Sequence, residues 1–135
     1  MEKDNIITEE SEFKKNSLRI IKGSVFSIIL SIILLLIFAM LLCYTNISES
    51  TMVPVVLVIT AISILIGGMI STKTIRKNGL LNGGIVGIIY IIMLYLVSSL
   101  CITGFALTLK SFIMLLTGTI AGMIGGVIGV NLNKK

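Results

Sequence analysis

Four long stretches of the chain, 23–48, 50–72, 78–109 and 111–133, contain no charged residue at all. Apolar residues run almost continuously through each of them, so no face at helical or strand period is reserved for water. About 20 mainly apolar residues carry a helix across the hydrocarbon core of a bilayer. Each stretch is long enough for one crossing, and the third is too short for two in series. The pattern predicts an all-α integral membrane protein, an up-down bundle of four transmembrane helices with spans at about 23–43, 53–71, 80–101 and 111–130. Short connections favour sequence neighbours as antiparallel hairpins. The transmembrane domain then covers 23–131, between a tail at 1–22 ending in a basic juxtamembrane segment and a short tail at 132–135.

Local signals refine the elements. In the first tail Glu9, Glu10 and Glu12 precede Lys14, Lys15, Arg19 and Lys22. Acids early and bases late suit a helix, and Thr8 is placed to cap it; a frayed, solvated tail is the competing reading. The first span is rich in Ile, Leu and Phe, each favouring insertion by roughly 0.3–0.6 kcal/mol at mid-bilayer. Its apolar run exceeds a signal-peptide core and no small-residue cleavage site follows, so it reads as a membrane anchor. Ser50 or Thr51 is expected to cap the second span, with Pro54 in its first turn. Asn78-Gly79 reads as a helix stop, and Asn82 as a cap at the mouth of the third span.

Composition agrees with this placement: 56% of residues are hydrophobic and 13% charged, and the mean hydropathy is +1.11. The net charge of +5 lies at the borders of the spans, not over a folded surface interleaved with hydrogen-bonding groups, which excludes nucleic acid as a partner. Lys3, Lys14, Lys15, Arg19, Lys22, Lys73, Arg76, Lys77, Lys134 and Lys135 fall on one side of a four-span topology, and Lys110 alone falls on the other. Loops rich in Lys and Arg stay in the cytoplasm. Both termini and the middle turn are therefore expected there, in a plasma-membrane protein, with the basic residues facing anionic head groups.

Small residues are spaced for helix contact. Association in lipid depends on close backbone approach, because hydrophobic drive between helices is slight. The last span offers Gly118, Gly122, Gly125, Gly126 and Gly129, the third Gly83 and Gly87, the second Gly67 and Gly68, and the first Ser27 and Ser31. Gly118, Gly122, Gly125 and Gly129 are expected to make the tightest contact, inside the bundle or between copies. The glycines also suggest duplication: 23–29 resembles 83–89, and 66–70 resembles 124–128, as two parallel hairpin repeats would.

Reactive chemistry is scarce. The chain has no His, and no Asp, Glu, Lys or Arg lies inside a span. Proton coupling and intramembrane proteolysis need ionisable groups at depth, and Ser98 or Ser99 would lack a base to activate it. The chain is thus expected to be no enzyme and to hold no metal or other cofactor. Cys43 and Cys101 fall at the same end, where apolar packing is favoured over a disulfide. Tyr44 fits an interfacial belt, whereas Tyr90 and Tyr95 lie deeper and need hydroxyl partners. Glu49 and Lys110 share the far side, where an exposed pair is worth about 0–1 kcal/mol.

Ser71, Lys73, Gly79, Leu81-Asn82-Gly83-Gly84, Gly87, Tyr90 and Gly125-Gly126 together resemble the YrzE-like family, small four-span membrane proteins of spore-forming Gram-positive bacteria. The resemblance covers the spans and not the acidic tail. It implies a bacterial membrane protein with cytoplasmic termini and no assigned activity. Three roles fit the residues: a subunit or accessory of a membrane assembly, with itself or another membrane protein as partner; an oligomeric passive pore for a small uncharged solute, lined by Ser98, Thr103, Thr117 and Thr119; and a lipid-responsive protein using Lys15, Arg19 and Lys22.

Overall fold

A computed structural model describes residues 1–75, 78–101 and 108–134. Arg76, Lys77, Lys135 and Thr103, named above, lie outside the described residues. The elements are α1 (Glu2–Tyr44), α2 (Met52–Thr72, preceded by a 3-10 turn at Glu49–Thr51), α3 (Gly79–Cys101) and α4 (Leu109–Asn133). All four are long and apolar enough to cross a membrane. The all-α four-helix bundle expected from the charge-free stretches is the fold observed.

The helix ends differ from the sequence reading in three places. Thr8 caps nothing: α1 starts at Glu2 behind Met1, and the Thr8 hydroxyl donates back to the Asp4 carbonyl at 2.7 Å, the usual fate of a mid-helix threonine. The tail and the first span are one continuous helix of 43 residues. Thr51 takes the N-cap position of α2 without a side-chain cap bond, and Ser50 instead meets the Ser48 hydroxyl at 2.8 Å. Asn78 does not stop a helix either. The second helix has already ended at Thr72 with Lys73 as its C-cap. Asn78 adopts a positive φ of 58°, which Asn tolerates better than most residues, and its carbonyl accepts the Asn82 N–H at 3.1 Å. The pair therefore opens α3, and Asn82 lies within its first turn rather than capping it.

Around the bundle the order is α1, α2, α4, α3, with α2 and α3 also touching across the diagonal. Among the described residues α1 and α4 do not touch. The α3–α4 hairpin is closed by glycine on glycine. A β-carbon on Gly83 or Gly87 would run into the carbonyl oxygens of Gly122 or Gly118, and one on Gly122 or Gly126 into those of Gly83 or Gly79. Three glycines four residues apart on each helix thus lay one backbone on the other. The predicted quartet of Gly118, Gly122, Gly125 and Gly129 does not form a single contact. Gly118 and Gly122 face α3, whereas Gly125 and Gly129 face Leu65 and Met69 of α2. Gly126, one step round the helix, completes the α3 face, and its partner Gly79 is, with Gly23 of α1, a packing glycine that sequence reasoning missed.

The α1–α2 hairpin uses the same device with serines. Gly23 lies against Gly67 and Ser71, and Gly67 against Gly23 and Ser27. The suggested repeat holds for these hairpin contacts but not for the glycine pairs. Gly67 faces its hairpin partner and Gly68 faces α4; in the second half Gly126 faces the hairpin partner and Gly125 faces α2. With α1 and α4 apart while α2 and α3 meet, the halves are not related by a two-fold axis.

Among the described residues burial is confined to one end. Buried positions lie between Ile20 and Ser31 in α1, Thr60 and Thr72 in α2, Gly79 and Ile91 in α3, and Gly118 and Gly129 in α4. In an up-down bundle these intervals share the end that carries Lys22, Lys73 and Lys134. The cause lies in the sequence. Small residues concentrate in that half, whereas the other half is mostly Leu, Ile, Val, Met and Phe. Lipid tails are as apolar as those side chains, so nothing drives them together.

Substituting Gly122 by Ala is expected to destabilise the bundle by about 1–3 kcal/mol, the range for overpacking a tight contact. The same change at Gly84, where a β-carbon would meet only the flexible Met123 side chain at 3.2 Å, is expected to be nearly neutral. Thermal unfolding of both variants in one detergent makes the comparison.

Candidate functional site

Inside the packed half, the largest fully buried side chain is Tyr90 of α3, 2% exposed. Its hydroxyl has the side-chain hydroxyls of Ser31 on α1 and Thr60 on α2 as hydrogen-bond partners. Ser31 directs its own hydrogen to the Ile28 carbonyl at 2.8 Å. Three helices are tied at one point by a relay with no charge in it.

Other polar groups in this half are mostly spent on backbone. Ser24, Ser27 and Ser63 each donate to a carbonyl in the preceding turn. The Thr72 hydroxyl lies 2.8 Å from the Gly68 carbonyl and 3.0 Å from that of Gly126 on α4. Hydroxyls bound in this way are not poised as nucleophiles. Ser71 Oγ is buried without a hydrogen-bond partner.

At the basic end Arg19 donates from Nη1 to the Thr74 carbonyl at 3.3 Å. Its cation sits just past the C-terminus of α2, where the helix dipole is negative. Of the three bases expected to face lipid, Arg19 is thus partly committed to holding α1 on α2. Lys14, Lys15, Lys22, Lys73 and Lys134 are exposed.

The opposite half is open. A groove of about 510 Å³ runs between α2 and α4, lined by Met52, Val53, Val56, Leu57, Ile113 and Met114, with Lys110 and Thr117 completing its wall. A second, of about 570 Å³, lies between α3 and α4 and includes Ile92, Tyr95, Leu96, Thr108, Ser111 and Phe112. Both are within the usual range for small-molecule sites and largely apolar, as such sites are. No carboxylate among the described residues pairs with Lys110, so the expected Glu49–Lys110 pair is not formed. Cys43 and Cys101 are both free and exposed at this end, neither bridged nor packed into a core. Tyr44 is exposed, as an interfacial residue should be.

Among the described residues, the polar side chains proposed to line a pore, Ser98, Thr117 and Thr119, do not converge within one chain. Thr117 borders the α2–α4 groove, Thr119 lies by Gly84 on the α3 side, and Ser98 is exposed on α3. The hydroxyls of both threonines are bound to carbonyls of their own helix.

Replacing Tyr90 by Phe is expected to cost about 0.5–2 kcal/mol, the scale of interhelical hydrogen bonds in lipid. A double-mutant cycle with Thr60→Val should return a coupling of similar size. Ser71→Ala, which removes an unpartnered buried hydroxyl and keeps the β-carbon packed on Gly23, is expected to gain about 1 kcal/mol. Unfolding midpoints in the same detergent read both changes.

Comparison with curated proteins and with solved structures returns no significant match. A family model described as "Protein of unknown function (DUF3792)" matches residues 16–129. The match begins at the last turns before the first span and ends at Gly129, so it takes in the glycine contacts, the Tyr90 relay and the α2–α4 groove, and leaves the acidic tail outside. The chain belongs to this family of proteins of unknown function.

Proposed function

We propose that this chain is a non-enzymatic membrane component, a subunit or accessory that holds another membrane-embedded protein against its open half. One observation carries the reading: among the described residues every glycine contact surface is consumed within the chain, while the bulky faces of the other half are left without a partner. Leu36, Met40, Val97 and Leu100 are examples of large apolar side chains more than half exposed there. Such faces are at ease in lipid and equally able to receive a helix, since neither exchange changes the apolar area seen by water. The glycines themselves are no longer available for joining copies.

The non-enzymatic part rests on chemistry. No Asp, Glu, His, Lys or Arg lies inside a span, and among the described residues most buried serine and threonine hydroxyls are bonded to carbonyls. The placement of ten of the eleven cations at one end supports a plasma-membrane protein with both termini and the Lys73 turn in the cytoplasm. The resemblance to YrzE-like proteins supports a bacterial membrane.

Photo-crosslinking amino acids placed at Leu36 and Val97 in the open half, and at Ile70 and Ile85 in the packed half, test this in native membranes. Protein adducts are expected from the first pair and few from the second. Equal yields from both pairs, or none from either, would remove the proposal; an adduct of twice the chain mass would identify the partner as a second copy.

A further inference from the structure

We propose that the groove between α2 and α4 binds one acyl chain of an anionic phospholipid, with the phosphate on Lys110. This goes beyond the reading above, which concerns a protein partner on the same half of the bundle.

The two grooves of the open half are similar in volume and differ in one respect that matters to a lipid. The α3–α4 groove is bordered by hydroxyls and no charge, whereas the α2–α4 groove has Lys110 in its wall. Among the described residues Lys110 is the only cation at this end. It stands in the first turn of α4, where the helix dipole adds positive potential for an anion. Its ammonium has no carboxylate partner among the described residues. The one acid at this end, Glu49, is exposed in the short turn before α2.

Below Lys110 the walls are hydrocarbon and thioether. Thr117 adds little polarity, because its hydroxyl is turned onto the Ile113 carbonyl at 2.8 Å. From Lys110 to Thr117 the groove descends about 10 Å along the helix, at about 1.5 Å per residue. It closes where Leu57, Thr60, Ile64, Ile91 and Gly118 leave a void of only about 10 Å³. A linear chain with an anionic head at the mouth fits this shape: charge at the top, methylenes below, and a floor too tight to pass.

Charge decides which lipid is held. An acyl chain leaving bulk lipid for this groove exchanges one apolar neighbour for another, so the walls contribute packing and little selectivity. Selection falls to Lys110, and one lysine near an anionic head group corresponds to about a five-fold preference.

The test uses the full chain in nanodiscs of phosphatidylcholine containing a tenth of a photoactivatable probe, diazirine on the acyl chain, carried either by phosphatidylglycerol or by phosphatidylcholine. Adducts are mapped by peptide mass spectrometry. Peptides containing Met52–Leu57 and Ile113–Thr117 are expected to be labelled about five-fold more by the anionic probe. Lys110→Gln should reduce that ratio to about one, Lys110→Arg should keep it, and Glu49→Gln should leave it equal or higher. Labelling of Ile92–Leu96, on the other groove, should be insensitive to all three changes and serves as the check that the variants remain folded. Equal labelling by the two probes, or an unchanged ratio in Lys110→Gln, overturns the proposal. So does labelling by a free fatty acid probe with none by phosphatidylglycerol, which would make the occupant a carboxylate amphiphile. A chain–chain crosslink across an unlabelled groove would likewise refute it by placing a second copy there. None of these results bears on the crosslinking pattern from Leu36 and Val97, so the two proposals fail separately.

Discussion

Contact between bare backbones holds this bundle together. In lipid, cohesion between helices comes from dispersion and hydrogen bonding, both of which fall off steeply with distance. Glycine brings the helix axes close enough for both. Gly79, Gly83 and Gly87 of α3 meet Gly118, Gly122 and Gly126 of α4; the β-positions of all but Gly118 run into backbone of the other helix, and that of Gly118 into the Ile91 side chain. A second glycine face on α4, Gly125 and Gly129, does the same against α2. The fourth helix is thus gripped from two sides, and Thr72 reaches the Gly126 carbonyl where those sides meet. The order of helices round the bundle follows from which of them carry glycine on which face.

The arrangement inverts the segregation of a water-soluble protein. Small and hydroxylated side chains are inside, and Ile, Leu, Val, Met and Phe are outside. A soluble bundle would expel Ser27, Ser31, Ser63 and Thr72 from its centre, because buried polar atoms need partners. Here helical carbonyls one turn back supply those partners, and a polar link between helices joins Tyr90 to Ser31 and Thr60. The two ends consequently differ in kind: one is held by geometry that admits little change, and the other by surfaces that accept whatever the surrounding membrane offers.

The spans were legible because charge is absent from them, and absence over a long window is hard to produce by chance. Their ends were less so. Asn78-Gly79 has the composition of a helix stop, but in this chain it starts α3, since α2 had already finished at Thr72; local residue preference does not tell the end of one helix from the beginning of the next. Most of the packing glycines were identified, Gly79 and Gly23 excepted, yet their allocation between α2 and α3 depends on a rotation of about 100° per residue and on which helix lies on which side. Neither can be read from a motif. Tyr90 was marked as needing a partner, and its partners were invisible because Ser31 and Thr60 come from two other helices. The grooves left no trace in the sequence beyond the position of Lys110, as a cavity is made by what fails to meet.

The unbroken first helix has a mechanical consequence. At about 1.5 Å per residue its 43 residues measure about 65 Å, roughly twice the hydrocarbon thickness. No proline or capped break interrupts it between the acidic tail and the span. The same rod that carries the tail bears on Gly67 and Ser71 at Gly23. The acidic tail is therefore joined to the glycine-packed half by continuous helix, with no loop between them to uncouple the two.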